Sequence, residues 1–466
     1  MDSIAAIILA AGKGTRMKSS KVKVLHPLAG EPLLSFPLEA ARAADAERIV
    51  VVVGHQADEV RRHFSGRDGI DFALQEEQHG TGHAVACAAP LLRGFQGTVL
   101  ILCGDVPLIR AETLQRMLAG HRESGATVTV LTAVVDNPRG YGRIVKDGAG
   151  LVVGIVEEKD ATEEQRAVRE INSGIYCVDG PFLFEAVAGL SRDNAQGEYY
   201  LTDIVRTAVG QGRSCAACPV EDAVDVMGIN DRVQLAQAEA VLRRRINEAH
   251  MLDGVTIRDP GATYIDRGTV IGRDTCIHPN VHISASTEIG ERCVIEPSAV
   301  IRGCRIGDGV IVKAGSVLED SIIRDGASIG PMAHLRPGTE LMEKVKIGNF
   351  VETKKITMGK GSKASHLTYL GDATIGSDVN IGCGTITCNY DGVSKHRTVI
   401  EDDVFVGSDV QFVAPVTVGR NSLVAAGSTV TRDVPPDSLA IARSQQVNKE
   451  GWVKERAQGK GKKAKG

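Results

Sequence analysis

Aromatic residues are scarce, at 4% of 466 residues with a single Trp. That is too few for the stacking platforms on which single-stranded nucleic acids lie. A basic field is missing as well: 54 Lys and Arg face 58 Asp and Glu, for a net charge of -4. The totals therefore argue for no specific nucleic-acid partner. No apolar run approaches the roughly 20 residues that cross a bilayer. The N-terminus opens on Asp2 and lacks the basic stretch of a secretory leader. No membrane insertion and a cytoplasmic location are expected. The ten cysteines are scattered, and without a leader they read as reduced thiols. Cys215 and Cys218 form one C-x-x-C with no second pair, a weak zinc signal. Both common phosphate-loop motifs are absent. No G-x-x-x-x-G-K-[ST] string occurs, and a G-x-G-x-x-G begun at Gly12 fails at Met17.

What is present falls into two halves with different periods. Up to about residue 228, short Val/Ile runs such as AAIILAA, RIVVVVG, GTVLILCG and ATVTVLTAV alternate with helical patterns such as ETLQRMLAGHRESG. This alternation predicts a parallel, doubly wound α/β sheet over 1–228. Residues 229–250 carry apolar positions at helical spacing and predict a linker helix. Then the period becomes six. Ile265, Ile271, Ile277, Ile283, Ile289, Ile295 and Ile301 form one ladder, which resumes at Ile323 and again at Val406. A six-residue period fits neither a helix nor a hairpin. It predicts a left-handed parallel β-helix of hexapeptide coils over 251–450. The basic, Gly-rich end, 451–466, is expected to lack structure.

The strand-turn LAAGKGTRM (9–17) starts a phosphate cradle on the α/β half. Joined to a hexapeptide solenoid, and to LQEEQHGTGHA (74–84), CGDVPL (103–108), EINSGIY (170–176) and HLTYLGDATIG (366–376) in that order, it resembles a bacterial family. That family is the bifunctional N-acetylglucosamine-1-phosphate uridyltransferases and glucosamine-1-phosphate N-acetyltransferases, which make the cell-wall precursor UDP-N-acetylglucosamine. The resemblance runs from residue 4 to about 452.

The resemblance implies two sites. In the α/β half, Leu9, Ala10, Ala11 and Gly12 would hold UTP, with Arg16 and Lys23 neutralising phosphate charge during catalysis. Gln75, Gly80 and Thr81 would read the base; a glutamine amide both donates and accepts, as the edge of uracil requires. Asp105 and Asn230 would bind Mg²⁺, an ion that prefers a few oxygen ligands, and Gly140, Glu157 and Asn172 would hold the sugar. In the solenoid, Arg336, Lys354, Tyr369 and Asn380 would bind glucosamine-1-phosphate. His366 would act as general base on its amine. Cys383, Asn389, Tyr390, Ser408, Ala426 and Arg443 would bind acetyl-CoA, with Asn389 and Tyr390 on a loop leaving the coil. A homotrimer through the β-helix is also implied, with acetyl sites between subunits.

Three positions depart from the family pattern: Val22 stands where proline is usual, Cys103 where tyrosine is usual and Cys383 where alanine is usual. Taken alone, QEEQHGTGHA reads as a polar loop and His366 as surface decoration. A single-function sugar-nucleotide pyrophosphorylase on a structural β-helix therefore stays open as an alternative, as does a trimeric scaffold. Neither has a use for Arg336, Lys354 and His366 together.

Overall fold

The computed structural model describes residues 3–463. It divides into two units, residues 1–245 and 246–466. The first is built on a nine-stranded sheet. Its strands are β1 (Ile4–Leu9), β2 (Arg48–Val53), β3 (Ile70–Leu74), β4 (Thr98–Cys103), β5 (Val128–Val134), β6 (Arg143–Lys146), β7 (Val152–Val156), β8 (Glu170–Asp179) and β9 (Cys215–Pro219). The main order is β9-β5-β8-β4-β1-β2-β3, with β6 joined to β8 and β7 to β6. Successive residues of a strand enter opposite cores. Ile4, Ala6 and Ile8 pack with Leu38 and Met117, whereas Ala5 and Ile7 pack with Val85 and Leu183. The helices behind these residues are α1 (Ser35–Ala43), α3 (Thr81–Ala88), α4 (Ala111–Ser124) and α5 (Gly180–Ala188), with α2 (Ala57–Phe64) and α6 (Asp203–Gly210) alongside. Burial on both faces is why the strands read as unbroken Val/Ile runs.

The sheet departs from the expected parallel one at two places: β8 runs antiparallel to β4, β5 and β6, and β6 runs antiparallel to β7. Between β7 and β8 the chain holds only a one-turn helix, Glu163–Arg166. β8 thus follows the antiparallel β6–β7 pair, and no long helix carries the chain back across the sheet between β5 and β8, as a parallel neighbour usually requires. The long helix α7 (Arg232–Leu252) ends the first unit and opens the second. Its early turns pack Ala238 with Leu28 and Leu33, and Ile246 and Met251 lie against the solenoid core. Asn247, fully buried, donates from Nδ2 to the carbonyls of Pro260 (2.8 Å) and Thr263 (3.0 Å) and so ties this helix end to the first coil.

The second unit is a stack of 26 short parallel strands in hexapeptide repeats, as in a left-handed β-helix. Each strand pairs with the third one on, so Ile265 lies on Ile283, Ile283 on Ile301 and Ile301 on Leu318. The whole ladder is buried in one continuous core. Its apparent break after Ile301 is a five-residue step to Ile306, after which Val312 and Leu318 continue in rhythm. The corners explain the period. Asp274, Asn280, Ser286, Arg292 and Ser298 all have φ between 54° and 63°, and Gly303 and Gly309 follow at 61° and 63°. Each corner is thus turned by one left-handed residue, a conformation that Gly, Asn and Asp tolerate best. Two longer strands, β10 (Lys346–Met358) and β11 (Lys363–Ile375), keep hydrogen-bonding around their corners. The coil after them is enlarged. Ile375 pairs with Ile400, 25 residues on, where Met358 pairs with Ile375 only 17 on.

The C-terminal stretch expected to be structureless is helical over Trp452–Lys463 (α8). Lys, Arg, Gln, Glu and Ala fill most of it and favour a helix when no proline intervenes. Residues 464–466 of that stretch lie outside the described residues.

Candidate active sites

Strand β1 ends at the turn formed by Leu9 to Gly12. Ala10 and Ala11 are buried, with the Ala10 amide donating to the Val52 carbonyl (2.9 Å). A Cβ on Gly12 would meet nothing within 4 Å. This turn, with Gln75, Gln78, Gly80, Thr81, Ala84, Cys103, Asp105 and Glu198, lines a cavity of about 290 Å³. It lies at the carboxyl ends of β1 and β4, where open α/β sheets bind ligands.

Asp105 follows β4 by two residues, and its carbonyl accepts from the Ile229 amide (2.9 Å). That bond sets Asn230 beside Asp105. Lys23 Nζ bridges the two: it pairs with the Asp105 carboxylate and donates to Asn230 Oδ1 at 2.9 Å. Two oxygens, one carboxylate and one amide, thus converge on a single cation. This is the donor set a hard divalent ion takes, with an ammonium standing in. Gly14, at φ 60°, lies against the Lys23 stem; a Cβ there would fall 2.6 Å from Lys23 Cβ. Val22 is buried and simply precedes the short turn of helix at Lys23–Leu25. Arg16 is exposed and makes no ion pair or hydrogen bond among the described residues. Burial pushes the Cys103 thiol up to about 12, the Asp105 charge adding and Lys23 opposing. It therefore stays neutral beside Gly174, to whose carbonyl it donates (3.4 Å).

Glu157 and Asn172 are brought together around Gly142. A Cβ on that glycine would fall 3.5 Å from both Asn172 Cβ and Glu157 Oε1. Burial raises the Glu157 pKa, a bond from the Thr202 hydroxyl opposes the rise, and the charges of Asp160, Asp203 and Glu198 add to it. Gly140 sits apart on the exposed turn before β6, in the left-handed region at φ 89°, its amide 3.3 Å from Glu158 Oε2.

On the solenoid, residues at the same point of successive coils stack. Asn349, His366, Cys383, Ser408 and Ala426 follow one another up one corner, each just before the left-handed residue that turns it, and Arg443 reaches this corner with its side chain. His366 pairs in register with Asn349, and its Nδ1 lies 2.5 Å from Asn349 Oδ1. The Cys383 carbonyl accepts from Asp409 N (2.7 Å). A Cβ on Gly407 would strike Ala426, whose carbonyl accepts from Arg443 Nη1 at 2.6 Å. The Asn349 amide oxygen can only accept, so Nδ1 carries the proton and Nε2 is left as the basic nitrogen.

The opposite edge of that face is cationic. Lys354 has its pKa lowered, first by the charge of Lys395 and then by that of Arg336. Arg336 Nη1 also bonds Glu352 (2.8 Å), which lies in register with Tyr369. The Tyr369 hydroxyl covers Gly371, the register partner of Lys354. Lys395, absent from the sequence-based set, comes from the eight residues by which the enlarged coil exceeds its neighbour. No periodic signal marks it, because it lies where the rhythm is broken. Asn389, in the same segment, donates from Nδ2 to Asp372 (2.5 Å), and Tyr390 is exposed. Asn380 stands apart: it pairs with Lys363 on the preceding face. One chain therefore sets the basic nitrogen and the cations on opposite edges of one face, with Asn380 on neither.

Residues 5–239 match the nucleotidyl transferase family, and residues 268–303 and 397–432 match the bacterial transferase hexapeptide family. The chain is 68% identical over 452 residues to the bifunctional protein GlmU of Geotalea uraniireducens, covering 97% of this chain and 99% of that one. It is 67% identical to the GlmU of Geobacter metallireducens, with 98% and 100% covered, and 50% identical to that of Shouchella clausii, with 96% and 98% covered. The chain belongs to the bifunctional GlmU family. It is a bifunctional transferase, with one transferase fold in each unit. Among the described residues, no helix is long and apolar enough to cross a membrane.

Proposed function

We propose that this chain catalyses two successive transfers. The solenoid moves the acetyl group of acetyl-CoA to the amine of glucosamine-1-phosphate. The α/β unit then joins N-acetylglucosamine-1-phosphate to the uridylyl group of UTP, giving UDP-N-acetylglucosamine and pyrophosphate. What carries this reading is that each unit independently gathers the groups one transfer needs: oxygens and a cation by a turn at strand ends, and a basic nitrogen with a cation cluster on the solenoid.

In the α/β unit the sugar phosphate attacks the α-phosphorus of UTP, and positioning does most of the work. The Leu9–Gly12 turn would carry the triphosphate, Gln75, Gly80 and Thr81 the base, and Gly140, Glu157 and Asn172 the sugar. Asp105 and Asn230 would hold Mg²⁺, which supplies charge neutralisation on the phosphates. Lys23, released from them, would join Arg16 on the triphosphate.

In the solenoid, Arg336 and Lys354, with Lys395 beside them, would hold the sugar phosphate through charge-assisted bonds. Tyr369 and Asn380 would contact the sugar. His366 Nε2 would take a proton from the amine as it attacks the thioester. Cys383, Asn389, Tyr390, Ser408, Ala426 and Arg443 would seat acetyl-CoA along the His366 corner. Cys383 and Asp409 share a backbone bond, so the departure from alanine leaves the coil unaltered.

We further propose a homotrimer. Met332, Phe350 and Leu367 stack at the His366 corner, all in the left-handed region at φ 53°, 56° and 46° and all more than half exposed. Apolar side chains held exposed in a strained conformation suit an interface between copies. Such an interface would set one chain's His366 corner against another chain's cations. Domain limits near 228 and 250, and a cytoplasmic location suited to ten free cysteines, belong to the same proposal.

The test is to mix the purified protein with acetyl-CoA and glucosamine-1-phosphate and follow thiol release, correcting for its own cysteines. Release that requires the amino sugar, together with UTP-dependent pyrophosphate from N-acetylglucosamine-1-phosphate, supports both transfers. No release, with UTP-dependent pyrophosphate still formed from N-acetylglucosamine-1-phosphate, leaves a pyrophosphorylase on a structural solenoid.

A further inference from the structure

Gln75 is held by a partner that the transfer reaction does not itself call for. The residue is 3% exposed, and its Nε2 lies 3.1 Å from the Gly80 carbonyl oxygen and 3.1 Å from His83 Nδ1. A carbonyl oxygen only accepts, so the amide nitrogen must be the atom that faces Gly80. An amide NH₂ only donates, so His83 must present a lone pair at Nδ1. The imidazole is thereby fixed as its Nε2–H tautomer. That nitrogen faces Cys87 Sγ at 3.7 Å, one turn along α3, and burial, which raises the Cys87 pKa, keeps the thiol neutral. The rings of His79 and Tyr199, at 5.3 Å and 6.2 Å, hold the imidazole in place. Both amide hydrogens of Gln75 are used, and Oε1 is the carboxamide atom left for a ligand in the cavity that Gln75 lines.

We propose that His83 is a positioning residue for base selection. By accepting from Gln75 Nε2, it fixes Oε1 as a hydrogen-bond acceptor in the nucleotide cavity. A pyrimidine with a proton on N3, as in uracil, then finds a partner. A pyrimidine with a lone pair on N3, as in cytosine, meets a second lone pair. The inference rests on the uridylyl reading of this unit. Without His83, one buried N–H of Gln75 loses its acceptor. The carboxamide is then held by the Gly80 carbonyl alone and turns more readily, and in the turned form the cavity offers a donor where it offered an acceptor. A site built to bond one edge rejects the wrong one through the polar group it leaves unpaired, so discrimination falls as soon as the amide is free to turn.

The experiment measures binding of UTP and of CTP to the full-length protein with Mg²⁺ by calorimetry, beside kcat for pyrophosphate formation at saturating UTP. The wild-type protein should prefer UTP. His83→Ala should lower the UTP-to-CTP ratio by about tenfold or more, as expected when one bond decides the choice, with kcat nearly kept. His83→Asn, whose side-chain oxygen can accept in place of Nδ1, should restore most of the ratio. The retained kcat with UTP serves as the folding control for the α/β unit. A wild-type ratio retained in His83→Ala overturns the inference, as does His83→Asn behaving like alanine. Equal binding of UTP and CTP by the wild type removes the uridylyl reading itself, a result distinct from both.

Discussion

The two units build their sites by opposite means. In the α/β unit the cation centre joins Lys23, Asp105 and Asn230, partners 82 and 207 residues from the lysine. They meet because separate strand ends and a loop bond across the top of the sheet. In the solenoid the stacked corner is read up the chain at one residue per coil, from Asn349 to His366 to Cys383. Long-range convergence makes a closed site within one chain, whereas stacking makes an open edge. A site built on an edge needs something set against it. On this comparison, the α/β unit should act alone and the solenoid should need its neighbours.

The largest effects should come from splitting the two activities. His366→Ala is expected to lower acetyl transfer by about 10²–10⁴, the usual worth of a general base, and to leave uridylyl transfer within twofold. Asp105→Ala should do the reverse, and it should also weaken Mn²⁺ binding followed by electron paramagnetic resonance. Equal loss of both activities in either variant would break the comparison at its root. The next effect concerns the edge. Phe350→Asp with Leu367→Asp should convert the oligomer to monomer in sedimentation and abolish acetyl transfer, with uridylyl transfer retained. A dissociated protein that still acetylates would show that one chain holds a complete solenoid site.

The same contrast decides what could be read from the residues. The ladder from Ile265 to Ile301 showed in the letters because each inward position recurs at a fixed step, and the core follows it. The five-residue steps at Ile306 and Ile323 hid the middle coils, since one missing residue shifts every later position. Lys395 was invisible for a related reason: it lies in the enlargement, outside the rhythm. In the α/β unit the strands were legible as Val/Ile runs. The antiparallel course of β8 was not, because direction depends on the path of the connection and leaves no mark in the strand. Neither was the bridge from Lys23 to Asp105 and Asn230. Their membership in one set came from resemblance, and their contact comes from a backbone bond between Ile229 and Asp105. The Gln75–His83 bond joins residues on β-strand edge and helix that no spacing rule connects.

Packing should sharpen the comparison at a smaller scale. Phe412, fully buried in the solenoid core, should cost about 3–5 kcal/mol when changed to alanine. In a solenoid each coil touches only its neighbours, so amide exchange should rise in the coils around Phe412 and remain unchanged in the α/β unit. Exchange spreading evenly through both units would mean that they unfold together.

The smallest effect is the most direct, because one substitution should take opposite signs in the two units. Gly120 lies exposed in α4, and Gly309 turns a solenoid corner at φ 63°. A Cβ at either would meet nothing within 4 Å, so packing drops out and backbone conformation alone remains. In a right-handed helix, alanine is favoured over glycine by about 0.5–1 kcal/mol, since glycine loses more freedom on folding. In the left-handed region the order reverses by about 1 kcal/mol, because the added Cβ crowds the following carbonyl. Gly120→Ala should therefore raise the unfolding midpoint of the α/β unit, and Gly309→Ala should lower that of the solenoid, each followed by its own activity during denaturation. The same sign at both positions would mean that the corner is not turned by its left-handed residue, and the hexapeptide period would lose its physical cause.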